Sequence, residues 1–293
     1  MQWLLALVGV LGVSASGPLM AATAVPALAI AFWRNALASV VLAPTAAVTR
    51  RGELAAMDRS QWQLLAVASV ALAAHFATWV LSLKLTSVAS ATALVALMVG
   101  WVVLISRLRG EHVAGAVVAG LCVAFAGVLL ISGVDTTVST EAIIGDLLAL
   151  AGGFFAAVYT IAGGQARRTL STTTYTAVCY GLCAAILLVV CIVARQDLGG
   201  YSARSWLGLL AVTLCAQLLG HSVFNHLLAT MSPTVVALII LLEVPGAALL
   251  AAAFINQSPP LGVYVGLTLI VLGLAVVVAL KRPEEHTVEL AVD

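Results

Sequence analysis

One carboxylate, Glu243, stands ten residues into the apolar run 233–254. If that run is a helix, the side chain lies roughly 15 Å deep, near the middle of a bilayer. A carboxylate there costs on the order of 2.5–3.5 kcal/mol on insertion scales, so it must be protonated, paired or turned to water. Two readings stand side by side. Glu243 is either a group that takes up a proton or holds an amine, or a structural acid bonded to backbone that Pro245 opens beside it. Pro245 predicts a kink that frees the carbonyl of Leu241 one turn earlier.

Imidazoles and amides mark two further apolar runs. His75 and Trp79 are one turn apart, with Thr78 and Ser82 beside them, while Gln217, His221 and Asn225 recur every fourth residue and predict a single shared face. Such a stripe can bind a small polar solute. It can also be interhelical bonding, worth less than about 1 kcal/mol per contact. Trp101 and Tyr159 are candidate flat walls for the same cavity, whereas Trp33 and Tyr180 read as core or lipid-facing aromatics. Arg34, about eight residues into its run, reads as a structural ionic residue that bonds carbonyls or a neighbouring acid, Glu243 being one candidate partner. Lys84 reads as a snorkelling interface residue, His226 as an interface residue, and Trp3, Trp62 and Trp206 as interfacial anchors.

Positioning these groups requires apolar helices, and the composition supplies little else. Hydrophobic residues make up 63% of the 293 residues and charged residues 9%, with a mean hydropathy of +1.16, far from the composition of a soluble domain. Ten apolar stretches, near 3–21, 26–48, 61–83, 87–106, 113–132, 143–163, 173–194, 205–227, 233–254 and 260–280, are each long enough to cross the hydrocarbon core. The chain is thus expected to be an all-α membrane protein with the lipid bilayer as its surroundings. Its connections leave no room for an extramembrane catalytic domain, and a net charge of +1 gives no reason to expect nucleic acid. The five cysteines all fall inside apolar stretches and read as packing residues, since no His or carboxylate accompanies Cys179 and Cys183 at ligand spacing. No metal and no cofactor are expected.

Lys and Arg fix the expected orientation. Arg50, Arg51, Arg59, Arg107, Arg109, Arg167, Arg168, Lys281 and Arg282 fall on the amino-terminal side, against Lys84, Arg195 and Arg204 on the other, which predicts both termini in the cytoplasm. No positive residue precedes the first run, so it reads as a retained helix rather than a signal peptide despite Ala22-Thr23-Ala24.

The chain also repeats itself at a distance of about 145 residues: Gly120-x6-Gly127 recurs as Gly266-x6-Gly273, and Ser87 to Trp101 aligns with Ser232 to Gly246. Five helices per copy is an odd number, so the second copy must enter the membrane from the opposite side. Ten transmembrane helices as two inverted five-helix repeats around a central cavity follow, with units 1–135 and 136–282 and a cytoplasmic tail at 283–293 read as disordered. Small residues one turn apart, Ala116, Gly120 and Ala124 in one copy and Gly262 and Gly266 in the other, predict close packing, within the chain or between protomers.

Gly220-His221-Ser222-Val223-Phe224-Asn225, Ser232-Pro233-Thr234-Val235-Val236-Ala237 and Leu241-Leu242-Glu243-Val244-Pro245-Gly246-Ala247 resemble the second repeat of an EamA-type transporter of the drug/metabolite transporter superfamily. His75-Phe76-Ala77-Thr78-Trp79, Ser82-Leu83-Lys84 and Ser87-Val88-Ala89-Ser90-Ala91-Thr92 resemble the first, and Pro26 with Phe32 to Arg34 fits its second helix. The resemblance implies an inner-membrane exporter of amino acids, other metabolites or toxic compounds. It also implies a cavity lined by helices one, three, four, six, eight and nine, with His75, Trp79, Trp101, Tyr159, His221 and Glu243 near it. Proline is frequent in the family where Gly100 stands here, at the position matching Pro245.

The expectation is therefore a transporter that carries a small amphipathic solute, an amino acid or an aromatic metabolite, out of the cytoplasm by alternating access. Trp79, Trp101 and Tyr159 would stack on its apolar part. His75, Gln217, His221 and Asn225 would bond its polar part, and Glu243 would take up a proton or the amine. Proton-coupled antiport and passive facilitated diffusion both remain open, as does the oligomeric state. A non-transporting scaffold or sensor is the alternative, disfavoured because it has little reason to keep polar stripes on two matching helices. Ser16 with His75 or His221 would superficially make a hydrolytic pair, but nothing orients the histidine or builds an oxyanion hole, so no enzyme is expected.

Overall fold

The computed structural model describes residues 1–134, 139–256 and 260–280. The expected unit boundary at 135/136 and the tail 283–293, with Lys281 and Arg282, lie outside them. Ten long helices follow one another: helix 1 (Gln2–Ala22), helix 2 (Ala27–Thr49), helix 3 (Arg59–Ser82), helix 4 (Val88–Leu108), helix 5 (Gly115–Val134), helix 6 (Thr140–Ala166), helix 7 (Thr172–Val193), helix 8 (Ala203–Leu227), helix 9 (Pro233–Ile255) and helix 10 (Leu261–Leu280). Eight are long and apolar enough throughout to cross a membrane; helices 5 and 10 contribute shorter apolar helices, Gly115–Ile131 and Leu261–Val276. Among the described residues there is no strand.

The helix starts are written in hydroxyls. The side chains of Ser87, Ser139, Ser171, Ser202 and Ser232 each accept a bond from the backbone N–H three residues on, and Asp58 with Gln61 forms a reciprocal capping box. Each cap satisfies a donor that the first helical turn leaves over. Leu4, Leu7, Leu11, Val40, Val41, Phe254 and Leu261 lie exposed on the outside, as lipid contact requires.

Three helices are interrupted. Helix 1 divides at Ala15, helix 4 between Val95 and Met98, and helix 9 between Ile240 and Glu243. The last two breaks stand 145 residues apart, the same offset that aligns Ser87 with Ser232. Pro245 therefore does not create the break alone. In helix 4 the turn tightens without proline, through Val99 N–H to Ala96 O at 3.3 Å and Gly100 N–H to Leu97 O at 2.9 Å. A side-chain carbon at Gly100 would meet the Phe125 ring, so glycine is what permits this approach. The Leu241 carbonyl, expected to be free, accepts from Val244 N–H at 3.3 Å: the tightened turn supplies the donor that proline lacks.

Helices 5 and 10 pack backbone to backbone within the chain. A side-chain carbon at Gly273 would fall 2.5 Å from the Gly120 carbonyl oxygen, and one at Gly266 2.6 Å from that of Gly127. This closes the question of where the small-residue faces meet. Replacing Gly266 with Leu should force the pair apart and cost about 1–3 kcal/mol, read as a lower unfolding midpoint in detergent. An unchanged midpoint would mean that the seam carries no stability.

Candidate functional site

Helices 3 and 8 each bring an imidazole to one cavity. The rings of His75 and His221 lie 6.2 Å apart, and Trp79 stacks on His75 at 5.5 Å with an interplanar angle of 16°. Nδ1 of His75 is 3.0 Å from the Gly152 carbonyl, which can only accept, so Nδ1 carries the proton and Nε2 is left as an acceptor. Gly152 makes this contact possible, because a side-chain carbon there would fall 3.2 Å from both Thr78 Oγ1 and Trp79 Cβ of helix 3.

Between these rings lies a cavity of about 40 Å³, lined by residues of helices 1, 3, 4, 6, 8 and 9. His75, Trp79, Tyr159, His221, Asn225 and Glu243 all border it. Since one water needs on the order of 10–15 Å³ of such space, there is room for a few waters and none for an amino acid.

Two polar atoms on the wall have nothing to bond. Glu243 is 7% exposed with Oε1 unpartnered, and Trp79 is 2% exposed with its indole N–H unpartnered. One is an acceptor and the other a donor, and a buried polar group without a partner is costly.

Beside the cavity a chain of bonds runs through Asn225. Tyr159 donates to its Oδ1 at 2.8 Å, its Nδ2 donates to the Tyr180 hydroxyl at 3.0 Å, and Tyr180 stands 3.3 Å from Ser222 Oγ, which donates to the Gln217 carbonyl at 3.1 Å. Gln217 itself faces away from the cavity. Its Oε1 accepts from Arg34 Nε at 2.8 Å and its Nε2 donates to Asn35 at 3.1 Å. Arg34 is fully buried, with its guanidinium 4.0 Å over the Phe76 ring. Phe76 in turn packs edge-on to His221 at 5.2 Å.

The model of the EamA-like transporter family matches residues 2–133 and 143–279. The chain belongs to the EamA-like transporter family. A protein of Archaeoglobus fulgidus described as an uncharacterized transporter is 28% identical over 236 residues, which span 78% of this chain and 80% of that one. A solved crystal structure superimposes with a TM-score of 0.75 at 21% identity, covering 96% of this chain and 98% of its own, a likeness of fold alone.

For this EamA-like chain, two expected site residues are not brought to the cavity. Trp101 is 38% exposed and packs edge-on against Phe154 at 5.3 Å on the outer surface. The break before Met98 resets the rotation of the second half of helix 4, which turns Met98 inward instead. Gln217 lies in the π-helix Thr213–His221, and its side chain is taken up by Arg34 and Asn35 of helix 2 instead of the cavity. Met98 stands 145 residues before Glu243 and was legible from the repeat offset, as was the matching break. Tyr180 is fully buried in the Asn225 chain rather than facing lipid, and Thr160 and Phe224 line the cavity without any spacing signal. Trp206 packs edge-on to Trp33 at 4.9 Å. Lys84 is no simple snorkelling residue either, for its Nζ donates to the Met20 carbonyl at 2.9 Å and the Thr23 carbonyl at 3.0 Å. Burial lowers its pKa from the usual lysine value.

Proposed function

We propose that this EamA-like chain exports a small amphipathic solute, an amino acid or an aromatic metabolite, from the cytoplasm by alternating access. In this reading the ten helices are all transmembrane and form two inverted five-helix repeats in the plasma membrane, with both termini cytoplasmic. The observation that carries the site assignment is that two residues lining the cavity each keep a buried atom without a partner, Glu243 Oε1 as acceptor and the Trp79 indole as donor. A solute with an ammonium or hydroxyl on one side and a carboxylate or carbonyl on the other would satisfy both. Its apolar part would lie against Trp79, Tyr159 and Phe224, while Nε2 of His75 and the edge of His221 would face its polar part. So small a cavity fits one stage of a cycle in which the halves part on alternate faces. Helix breaks at equal offsets in helices 4 and 9 support the repeat reading, and Glu243 or the histidines would carry any proton coupling.

The test is uptake of a panel of amino acids and aromatic metabolites into proteoliposomes of the purified protein, with and without an imposed pH gradient. Accumulation of one solute above its gradient-free level would establish proton-coupled transport of that solute. Equilibration independent of the gradient would establish a passive facilitator of the same class. Movement of no panel member would overturn the solute assignment.

A further inference from the structure

Two cations close opposite ends of the bundle. Where helices 1 and 3 end, Lys84 Nζ donates to the carbonyls of Met20 and Thr23, at 2.9 and 3.0 Å, with Ala21 O at 3.5 Å. Where helices 6 and 8 end, Arg167 Nε donates to the Asn225 carbonyl at 2.9 Å, Nη2 donates to Thr172 Oγ1 at 2.8 Å, and Nη1 donates to the Leu170 carbonyl. By the 145-residue offset, the ends of helices 1 and 3 correspond to the ends of helices 6 and 8. The same pair of helix ends is therefore tied on each face, with donor and acceptor exchanged: the cation follows helix 3 in one half and helix 6 in the other.

Both ties use main-chain carbonyls at helix C-termini, where a cation meets the negative end of the dipole. The bonds described for the two cations go to carbonyl and hydroxyl oxygens. Such ties are weaker than buried ion pairs, so they can open in every cycle. Both are made at once in a conformation whose cavity holds only about 40 Å³.

Asn225 belongs to the cavity and to one of the ties. Its side chain lines the cavity and holds Tyr159 and Tyr180, and its carbonyl receives Arg167. A solute that displaces the Tyr159 bond would shift the residue whose backbone Arg167 grips. Trp79, on the opposite wall, bonds through its carbonyl to Ser82 Oγ at 2.7 Å and Leu83 N–H at 3.2 Å, immediately before Lys84.

We propose that Lys84 and Arg167 are the paired latches of the two gates, Arg167 on the amino-terminal face and Lys84 on the opposite face, and that Asn225 positions the Arg167 latch according to what fills the cavity. The inference rests on the alternating-access reading, but its test needs no solute. In a background with the five cysteines changed to alanine, Ala156→Cys on the cavity wall reports access to a membrane-impermeant maleimide added to right-side-out or inverted vesicles. Arg167→Gln removes bonds to a charged group, so labelling from the amino-terminal face should rise about tenfold while the opposite face stays unchanged. Lys84→Gln should give the reverse pattern. Asn225→Ala keeps the carbonyl and loses the side-chain ties, and it should speed labelling from the amino-terminal face alone.

Arg167→Lys and Lys84→Arg keep the charge and should restore slow labelling, which a merely structural role would not predict. If Arg167→Gln does not fold, Thr172→Ala, which removes one of its partners, should give a smaller acceleration on the same face. Equal acceleration on both faces, or none, would overturn the latches. A chain that moves no panel solute but gives the opposed labelling pattern would sink the solute assignment and keep the latches; transport without that pattern would do the converse.

Discussion

Glu243→Gln is expected to reduce flux of an amine-bearing solute about a hundredfold at low concentration, because removing one partner of a buried charge-assisted contact costs about 3 kcal/mol. The substitution keeps size and hydrogen-bonding capacity, so the helix 9 break and the packing around Glu243 should survive. What it removes is the negative charge and the ability to take a proton. Accumulation driven by a pH gradient should therefore vanish, if Glu243 carries the proton, while gradient-free exchange of a neutral analogue should persist. Initial rates in proteoliposomes, matched for protein amount and monodispersity, measure both. If Glu243→Gln and His75→Ala each leave transport unchanged, neither residue belongs to the solute path.

The second large effect should appear in stability rather than flux. Arg34→Ala empties a site that is fully buried, strands Gln217 Oε1 and takes the cation off the Phe76 ring. Truncation in a core and loss of a buried partner together should cost about 3 kcal/mol. Arg34→Met, which refills much of the volume but not the bond, should cost less. Unfolding midpoints in detergent separate the two, and equal losses would show that the guanidinium bond rather than packing sets the cost. Because Phe76 touches His221, Arg34→Ala should also loosen one wall of the cavity.

The helix positions were legible because each apolar stretch is bounded by hydroxyls, small residues or proline, and Ser87, Ser171, Ser202 and Ser232 do cap helices where the polar residue interrupts the apolar run. Inward-facing residues near unbroken turns were legible for the same reason: His75, Trp79 and Tyr159 lie on helices whose rotation follows the 3.6-residue period up to the cavity. That reasoning failed where the period changes. Gln217 precedes His221 within one π-helix, and Trp101 follows a break, so neither side chain points where a regular helix would send it. Hydrogen bonding shared across helices decides such departures, and it has no local mark in the sequence. Arg167 and Lys84 illustrate a different loss. Counting them as loop charges gave no sign of their acceptors, which are main-chain carbonyls that any residue supplies.

The seam between helices 5 and 10 has a thermal consequence. Gly120, Gly127, Gly266 and Gly273 have no side-chain rotamers to freeze, so joining these helices sacrifices almost no side-chain freedom. The cavity is lined by rings and longer side chains, His75, Trp79, Met98, Tyr159 and Phe224 among them, and the entropic penalty of ordering such groups grows with temperature. Warming should therefore soften the helices around the cavity before it parts the seam, leaving one edge of the molecule as a fixed spine while the other breathes.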